Sequence, residues 1–207
     1  VDAAFARAAA TCLGILIDRQ AAQMSVLNWL QPAGEFVNNT FARQALAMVW
    51  DFAEVNPLSG STGDWDGAIE WVRRVALHGA AARLAPGQAA QGDARALPLP
   101  DDSVPCIFTD PPYYDAVPYA DLSDFFYVWL RRSVGDLHPD LFATPLTPKP
   151  GEIVVNPAAI TDDRGTKDKA FFESEMRKAL GEARRVLAPD GIAVVVFAHK
   201  TTSGWEA

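Results

Sequence analysis

Val104-Pro105-Cys106-Ile107-Phe108-Thr109, followed at once by Asp110-Pro111-Pro112-Tyr113, is a short apolar run that ends in a stiff corner. A run of this length bounded by turn formers reads as a strand. Proline at 111 and 112 fixes the backbone there and biases the residues before it away from helix, so the strand stops at Asp110. Downstream, residues 171–187 place Phe172, Met176, Ala179, Leu180, Ala183, Val186 and Leu187 at near-helical spacing. Ala188-Pro189-Asp190-Gly191 then ends the helix, and residues 192–198 read as a continuous apolar strand of the buried parallel kind. Strand, loop, helix, turn and strand make a βαβ unit, and the predicted class is α/β. Upstream, Gly92-Asp93-Ala94-Arg95 precedes an acidic turn at Asp101-Asp102-Ser103. If Asp93 and Asp110 each close a strand, they share the rim on which open α/β sheets bind ligands.

The first 85 residues follow a helical period instead. Residues 5–30 carry Leu13, Leu16, Ile17, Met24 and Leu27 in a helical pattern that Gln31-Pro32-Ala33-Gly34 ends. A second helix is predicted from Asn39, a candidate N-cap, to Phe52 or Glu54. After a turn-rich loop at residues 56–63, a third is predicted over residues 65–82, with Asp64 as its cap and Ile69, Val72, Val75 and Ala76 in register. The expected division is a helical segment at 1–85, a target-recognition insertion or a layer covering a sheet, and a catalytic part at 86–207.

The chemistry that suits Asp110-Pro111-Pro112-Tyr113 is the gripping of an amino group. An exocyclic amine of adenine or cytosine is a poor nucleophile because its lone pair is delocalised into the ring, so an enzyme must hold it with acceptors that draw that pair out. The Asp110 carboxylate and the Pro111 carbonyl are the two candidate acceptors, Pro112 stiffens their corner, and Tyr113 offers a flat face for a base taken out of the stack. Tyr114 and Tyr119, in the loop that follows, are further candidates for touching the base. Phe125, Phe126, Trp129 and Leu130 fall at helical spacing after Ser123 and are read as helix core. Asp115 and Asp121 are read as structural. An ordinary strand-to-loop turn would use the same residue types.

Longer blocks surround the motif. They are Gly92-Asp93-Ala94; Thr109 to Val117; Tyr119-Ala120-Asp121-Leu122-Ser123-Asp124-Phe125-Phe126-Tyr127-Val128-Trp129-Leu130; Leu146-Thr147-Pro148-Lys149; Glu182-Ala183-Arg184-Arg185-Val186-Leu187; Phe197-Ala198-His199-Lys200-Thr201-Thr202; and Gly204-Trp205-Glu206. With Trp50-Asp51-Phe52-Ala53-Glu54 and Asn56-Pro57 upstream, the chain over residues 36–207 resembles the adenine-specific DNA methylases that use S-adenosylmethionine, in particular a bacterial group of large methylases linked to phage defence. The resemblance implies a partial Rossmann-like methyltransferase sheet with helices on its faces, and methyl transfer to the N6 amino group of adenine in double-stranded DNA with base flipping. It implies that Asp93 and Ala94 bind the adenine of the cofactor, Asp93 as a pure acceptor. Lys149 and Lys200 are the cations within matching motifs, each placed to meet a phosphate, and His199 is read as structural. The family's glycine-rich loop, which cradles the methionine part of the cofactor, has no counterpart among the isolated glycines 34, 60, 63, 67 and 79. The chain lacks an initiator Met and ends straight after a motif, so the expectation is a fragment with half a cofactor site. Defence-system subunits are possible partners by the same analogy. An amino methyltransferase acting on cytosine, RNA or protein glutamine, and a non-catalytic nucleic-acid-binding module, stay open as alternatives.

Composition bounds these expectations. The 207 residues carry a net charge of −8, an unusual balance for a DNA-binding protein, since phosphate affinity comes from Lys and Arg. Positive residues gather at Arg131-Arg132, Lys167 to Lys169, Arg177-Lys178 and Arg184-Arg185, each also readable as a solvated helix face. Two distant cysteines, Cys12 and Cys106, make neither a disulfide framework nor a four-ligand zinc site, and no metal is expected. With no apolar run long enough to span a membrane and no signal-peptide pattern, a cytoplasmic protein without membrane contact is expected.

Overall fold

The computed structural model describes residues 2–38, 40–41, 45–46, 48–82, 85, 87–115, 117–160 and 165–197. Among these it is a mixed α/β chain with four α-helices and three two-stranded sheets. The chain divides into two compact units, Val1–Gln88 with Asp121–Thr147, and Ala89–Ala120 with Pro148–Ala207. The units are therefore not simply the two halves of the chain, since residues 121–147 group with the N-terminal segment.

The first unit opens with α1 (Ala3–Gln23), whose cap Asp2 accepts from the Ala4 N–H. The helix ends at Met24, short of the predicted residue 30, because Asn28 takes over. Fully buried, its side-chain amide donates to the carbonyls of Ala22 at 2.9 Å and Gln23 at 2.6 Å, and its oxygen accepts from Thr40 at 3.0 Å. These bonds satisfy carbonyls at the helix end with a side chain in place of a further turn. A small hairpin of β1 (Leu30–Gln31) and β2 (Phe36–Val37) follows. The helix predicted from Asn39 is not seen among the described residues: its cap lies outside them, and residues 40–41, 45–46 and 48–54 are turns, bends or irregular. The Ala53 N–H instead donates to the Asn28 carbonyl.

The third predicted helix is present as α2 (Trp65–Ala81), with the Asp64 carboxylate accepting from the Gly67 N–H at 2.8 Å. Its predicted apolar register is hardly used: Ile69, Val75 and Ala76 are exposed, Val72 is half-buried, and the buried residue is Ala68, outside that register. In α3 (Tyr119–Val134) the helix begins four residues before Ser123, so Tyr119 opens a helix and does not sit in a loop. Phe125 and Phe126 pack against Phe41, but Tyr127 is the buried aromatic, its hydroxyl donating to the Thr144 carbonyl at 2.7 Å, and Trp129 is exposed. One polar group has no place in this packing. Asp18 is 6% exposed, its Oδ1 has no hydrogen-bond partner among the described residues, and burial pushes its carboxyl up to about 7.

The second unit is built on a parallel pair, β3 (Val104–Thr109) and β6 (Leu187–Val195), in register from Cys106 opposite Ile192 to Thr109 opposite Val195. The predicted turn at residues 188–191 is absorbed as an irregularity between Val104 and Cys106 in that ladder. Helix α4 (Lys169–Val186), capped by Asp168 accepting from the Phe171 N–H, precedes β6 and makes the crossover; Phe172 and Val186 are its buried apolar anchors. The parallel pairing agrees with the expectation, but the burial does not: Phe108, Ile192, Val194 and Val195 are exposed. A second small antiparallel pair joins β4 (Asn156–Ile160) to β5 (Thr166–Lys167). Asp93 closes no strand; residues 87–92 are irregular and Asp93 makes only an isolated bridge with Ala96.

Candidate active site

The carboxyl end of β3 is fixed before the motif begins. The Val196 N–H donates to the Thr109 carbonyl at 2.8 Å, which holds the residue preceding Asp110 to the partner strand. From there the chain turns through Asp110, Pro111 and Pro112 along the wall of a cavity of about 1020 Å³. Asp93 and Ala94 line the same cavity, although no strand delivers them there. Gly151 comes from another loop, and Met176 and Leu180 of α4 contribute an apolar wall. Leu180 is 45% exposed for this reason, at a position that its helical spacing marks as core.

The motif loop is held from behind. Tyr114 has a left-handed φ of 47°, a conformation that bulky side chains rarely adopt, and its ring stacks on Phe172 at 4.3 Å. It is 7% exposed, with its hydroxyl 3.4 Å from Glu173, so it is a core residue and not an exposed surface for a base. The Tyr114 carbonyl accepts from the Val155 N–H, and the Glu152 carboxylate accepts from the Ala120 N–H. The loop at residues 149–152 is in turn pinned by Lys167, which is 1% exposed. Its ammonium donates to the carbonyls of Lys149 at 2.5 Å and Glu152 at 2.7 Å and faces the Phe171 ring at 5.6 Å.

Asp93 is held as firmly. The Arg95 guanidinium donates to both its oxygens, at 2.9 Å and 2.6 Å, and the Arg95 backbone N–H donates to Oδ1 at 2.8 Å. These bonds hold the Asp93 carboxyl down at about 2. Arg95 also donates to Glu175, which is 7% exposed and which Lys178 bonds from the other side, so Glu175 too lies below the usual carboxylate range. Farther along α4, Arg185 bonds Glu182, Asp101 and the carbonyls of Leu97 and Leu99, tying the 97–101 loop to the helix. Its hydrogen bonds, Glu182 foremost, raise the Arg185 pKa, and they hold Glu182 at about 2.

The structure thus gathers Asp110, Pro111, Pro112, Asp93 and Ala94 on one cavity, and leaves other expected contacts elsewhere. Tyr113, half-buried, adjoins the cavity through Asp110, its hydroxyl donating to Oδ1 at 2.5 Å, while its ring meets Phe197 edge-on at 5.6 Å. Tyr119 is exposed at the start of α3, and Lys149 is half-buried beside the cavity's Pro148 and Gly151 without lining it. Lys200 and His199 lie outside the described residues. Two of the basic clusters are partly committed to structure and are not simply solvated faces, for Lys167 is buried and Arg185 is a loop staple. Arg95, Glu175 and Lys167 are absent from the sequence-based site. An Asp-x-Arg spacing hints at the first, but nothing local marks a helix glutamate or a strand lysine as buried.

No family model, curated protein or solved structure matches this chain. Among the described residues no group of His, Cys, Asp or Glu is placed to hold a metal ion, and no helix is long and apolar enough to cross a membrane.

Proposed function

We propose that this chain carries the amino-gripping site of an S-adenosylmethionine-dependent DNA methyltransferase acting on the N6 amino group of adenine, as part of a bacterial restriction or defence system. The observation that carries the reading is a single one: Asp110 and Pro111 at the carboxyl end of a parallel strand share a cavity with Asp93 and Ala94. That is where open α/β sheets bind their ligands, and the cavity volume suits a cofactor-sized molecule.

The residues fit the adenosine half of the cofactor. Asp93 and Ala94 would hold its adenine, the carboxylate as an acceptor that Arg95 keeps ionised, against the apolar wall of Met176 and Leu180. The cofactor, when bound, supplies an electrophilic methyl group on a sulfonium. The protein's part is alignment and electrostatics. Asp110 accepts one amino hydrogen of the target base and the Pro111 carbonyl the other, which localises the lone pair on nitrogen and leaves Asp110 placed to receive the proton that departs. No described residues form a glycine cluster for the methionine half. With a net charge of −8, most of the phosphate grip on DNA falls to segments or subunits beyond these residues. The test is expression of the gene product in cells lacking their own DNA methylases, followed by mass analysis of nucleosides. N6-methyladenine is the expected product; N4-methylcytosine would move the reading to a cytosine amino methyltransferase, and no methylated base would overturn it.

A further inference from the structure

The Asp110 carboxylate already has a donor: the Tyr113 hydroxyl, three residues on, at 2.5 Å. Both belong to the same corner, Asp110 exposed on the cavity and Tyr113 half-buried with its ring edge-on to Phe197. The rest of the corner does not move easily, for Thr109 is bonded to Val196 and Tyr114 is buried against Phe172. The Tyr113 hydroxyl bonds a carboxylate that is itself exposed. An ionised carboxylate bonded by a hydroxyl makes a charge-assisted contact, stronger than a neutral one, and a ligand donor arriving at that oxygen has to displace it.

We infer that the Tyr113 hydroxyl is an internal stand-in for the ligand's amino hydrogen: it holds Asp110 in the free protein, and it is released when an N–H donor of a base takes its place. The inference rests on the amino-group reading of the site and adds a selection step to it. A ligand with an amino group replaces the contact it breaks; a ligand without one has no donor to put there and leaves the contact in place. Tyr113 is then a specificity-determining residue as well as a flat face, because its hydroxyl sets the threshold that a ligand's donor must exceed. The same contact raises the Tyr113 pKa, the hydrogen bond to Asp110 being the main cause.

The chain contains four tyrosines, so ¹³Cζ-tyrosine NMR resolves Tyr113 directly. Its titration in the wild type should lie above 10 and return toward 10 in Asp110→Ala. Ligand-observed NMR then compares adenosine with purine riboside, which lacks the amino group, on wild type and on Tyr113→Phe. Removing the competing hydroxyl should tighten adenosine binding roughly 3- to 10-fold. Purine riboside should gain much less, which separates a freed acceptor from the greater apolarity of phenylalanine. An unchanged Tyr113 titration in Asp110→Ala overturns the stand-in and leaves the amino-group reading untouched, as does an equal gain for both nucleosides. Equal affinities of adenosine and purine riboside for both proteins overturn the amino-group reading itself, and the stand-in with it.

Discussion

Asp18 is a carboxyl group buried in α1 with an oxygen that no described residue bonds, and its replacement by asparagine should change how the first unit responds to pH. The folded chain holds the Asp18 proton up to about pH 7, whereas an unfolded aspartate loses it near 3.8. Between those values the native state binds more protons than the unfolded state, so stability falls as pH rises. With about 1.4 kcal/mol for each pH unit of difference, the full penalty is on the order of 4 kcal/mol, reached at and above about pH 7. Asparagine has no charge to form, so the Asp18→Asn variant should lack this slope even if its amide is imperfectly accommodated. Urea unfolding at pH 5, 6, 7 and 8 reads the effect as the difference between the two profiles. Tryptophan fluorescence is suited to it, because Trp29, Trp50, Trp65, Trp71 and Trp129 all belong to the first unit. The carboxyls of Asp93 and Glu182, held near 2, complete their titration below this window. The variant should gain several kcal/mol relative to wild type between pH 5 and pH 8. Parallel profiles would show instead that Asp18 is solvated or paired in the folded chain.

Three further outcomes follow from the second unit. Lys167→Met removes the donor that the Lys149 and Glu152 carbonyls share, and should cost roughly 2–4 kcal/mol in chemical unfolding, with faster amide exchange across residues 149–155. Arg95→Ala should raise the Asp93 carboxyl from about 2 toward 3.8, read by ¹³C NMR; since its pKa is lowered in the fold, the stability it contributes is present above about pH 4 and lost toward pH 2. That contribution is at most about 1 kcal/mol, because the Asp93 side chain is 46% exposed. Calorimetry of S-adenosylmethionine with this chain should show weak binding or none, since the residues offer no cradle for its methionine half; a submicromolar constant would contradict the half-site description.

What could be read in the sequence was what local chemistry decides. The Asp64 cap, the helix predicted over residues 171–187 and the stop at Asp110-Pro111-Pro112 depend on neighbours a few residues away; the cap and the stop stand where they were expected, and the helix spans Lys169–Val186. The failures are tertiary. Nothing near Met24 announces that a buried Asn28 will satisfy the carbonyls of Ala22 and Gln23 and end α1 early. Asp93 reaches the cavity from an irregular segment, held by an arginine two residues on and, through it, by a glutamate 80 residues away. Tyr114 looks like its neighbour Tyr113 in sequence, yet a left-handed backbone turns it into the core. Apolar content marked β6 as a buried strand, but burial depends on what covers a face, and residues such as Ile192 stand exposed among the described residues.

The central claim is that the Asp110 carboxylate draws an amino hydrogen from the target base. It is tested most directly by single-turnover methyl transfer from S-adenosylmethionine to adenine-containing DNA, using the gene product that contains this chain and its Asp110→Ala variant at saturating DNA and cofactor. The variant's rate should be lower by a factor on the order of 10³, the scale of losing one oriented electrostatic partner in the reaction. Equal rates for the two proteins would contradict it.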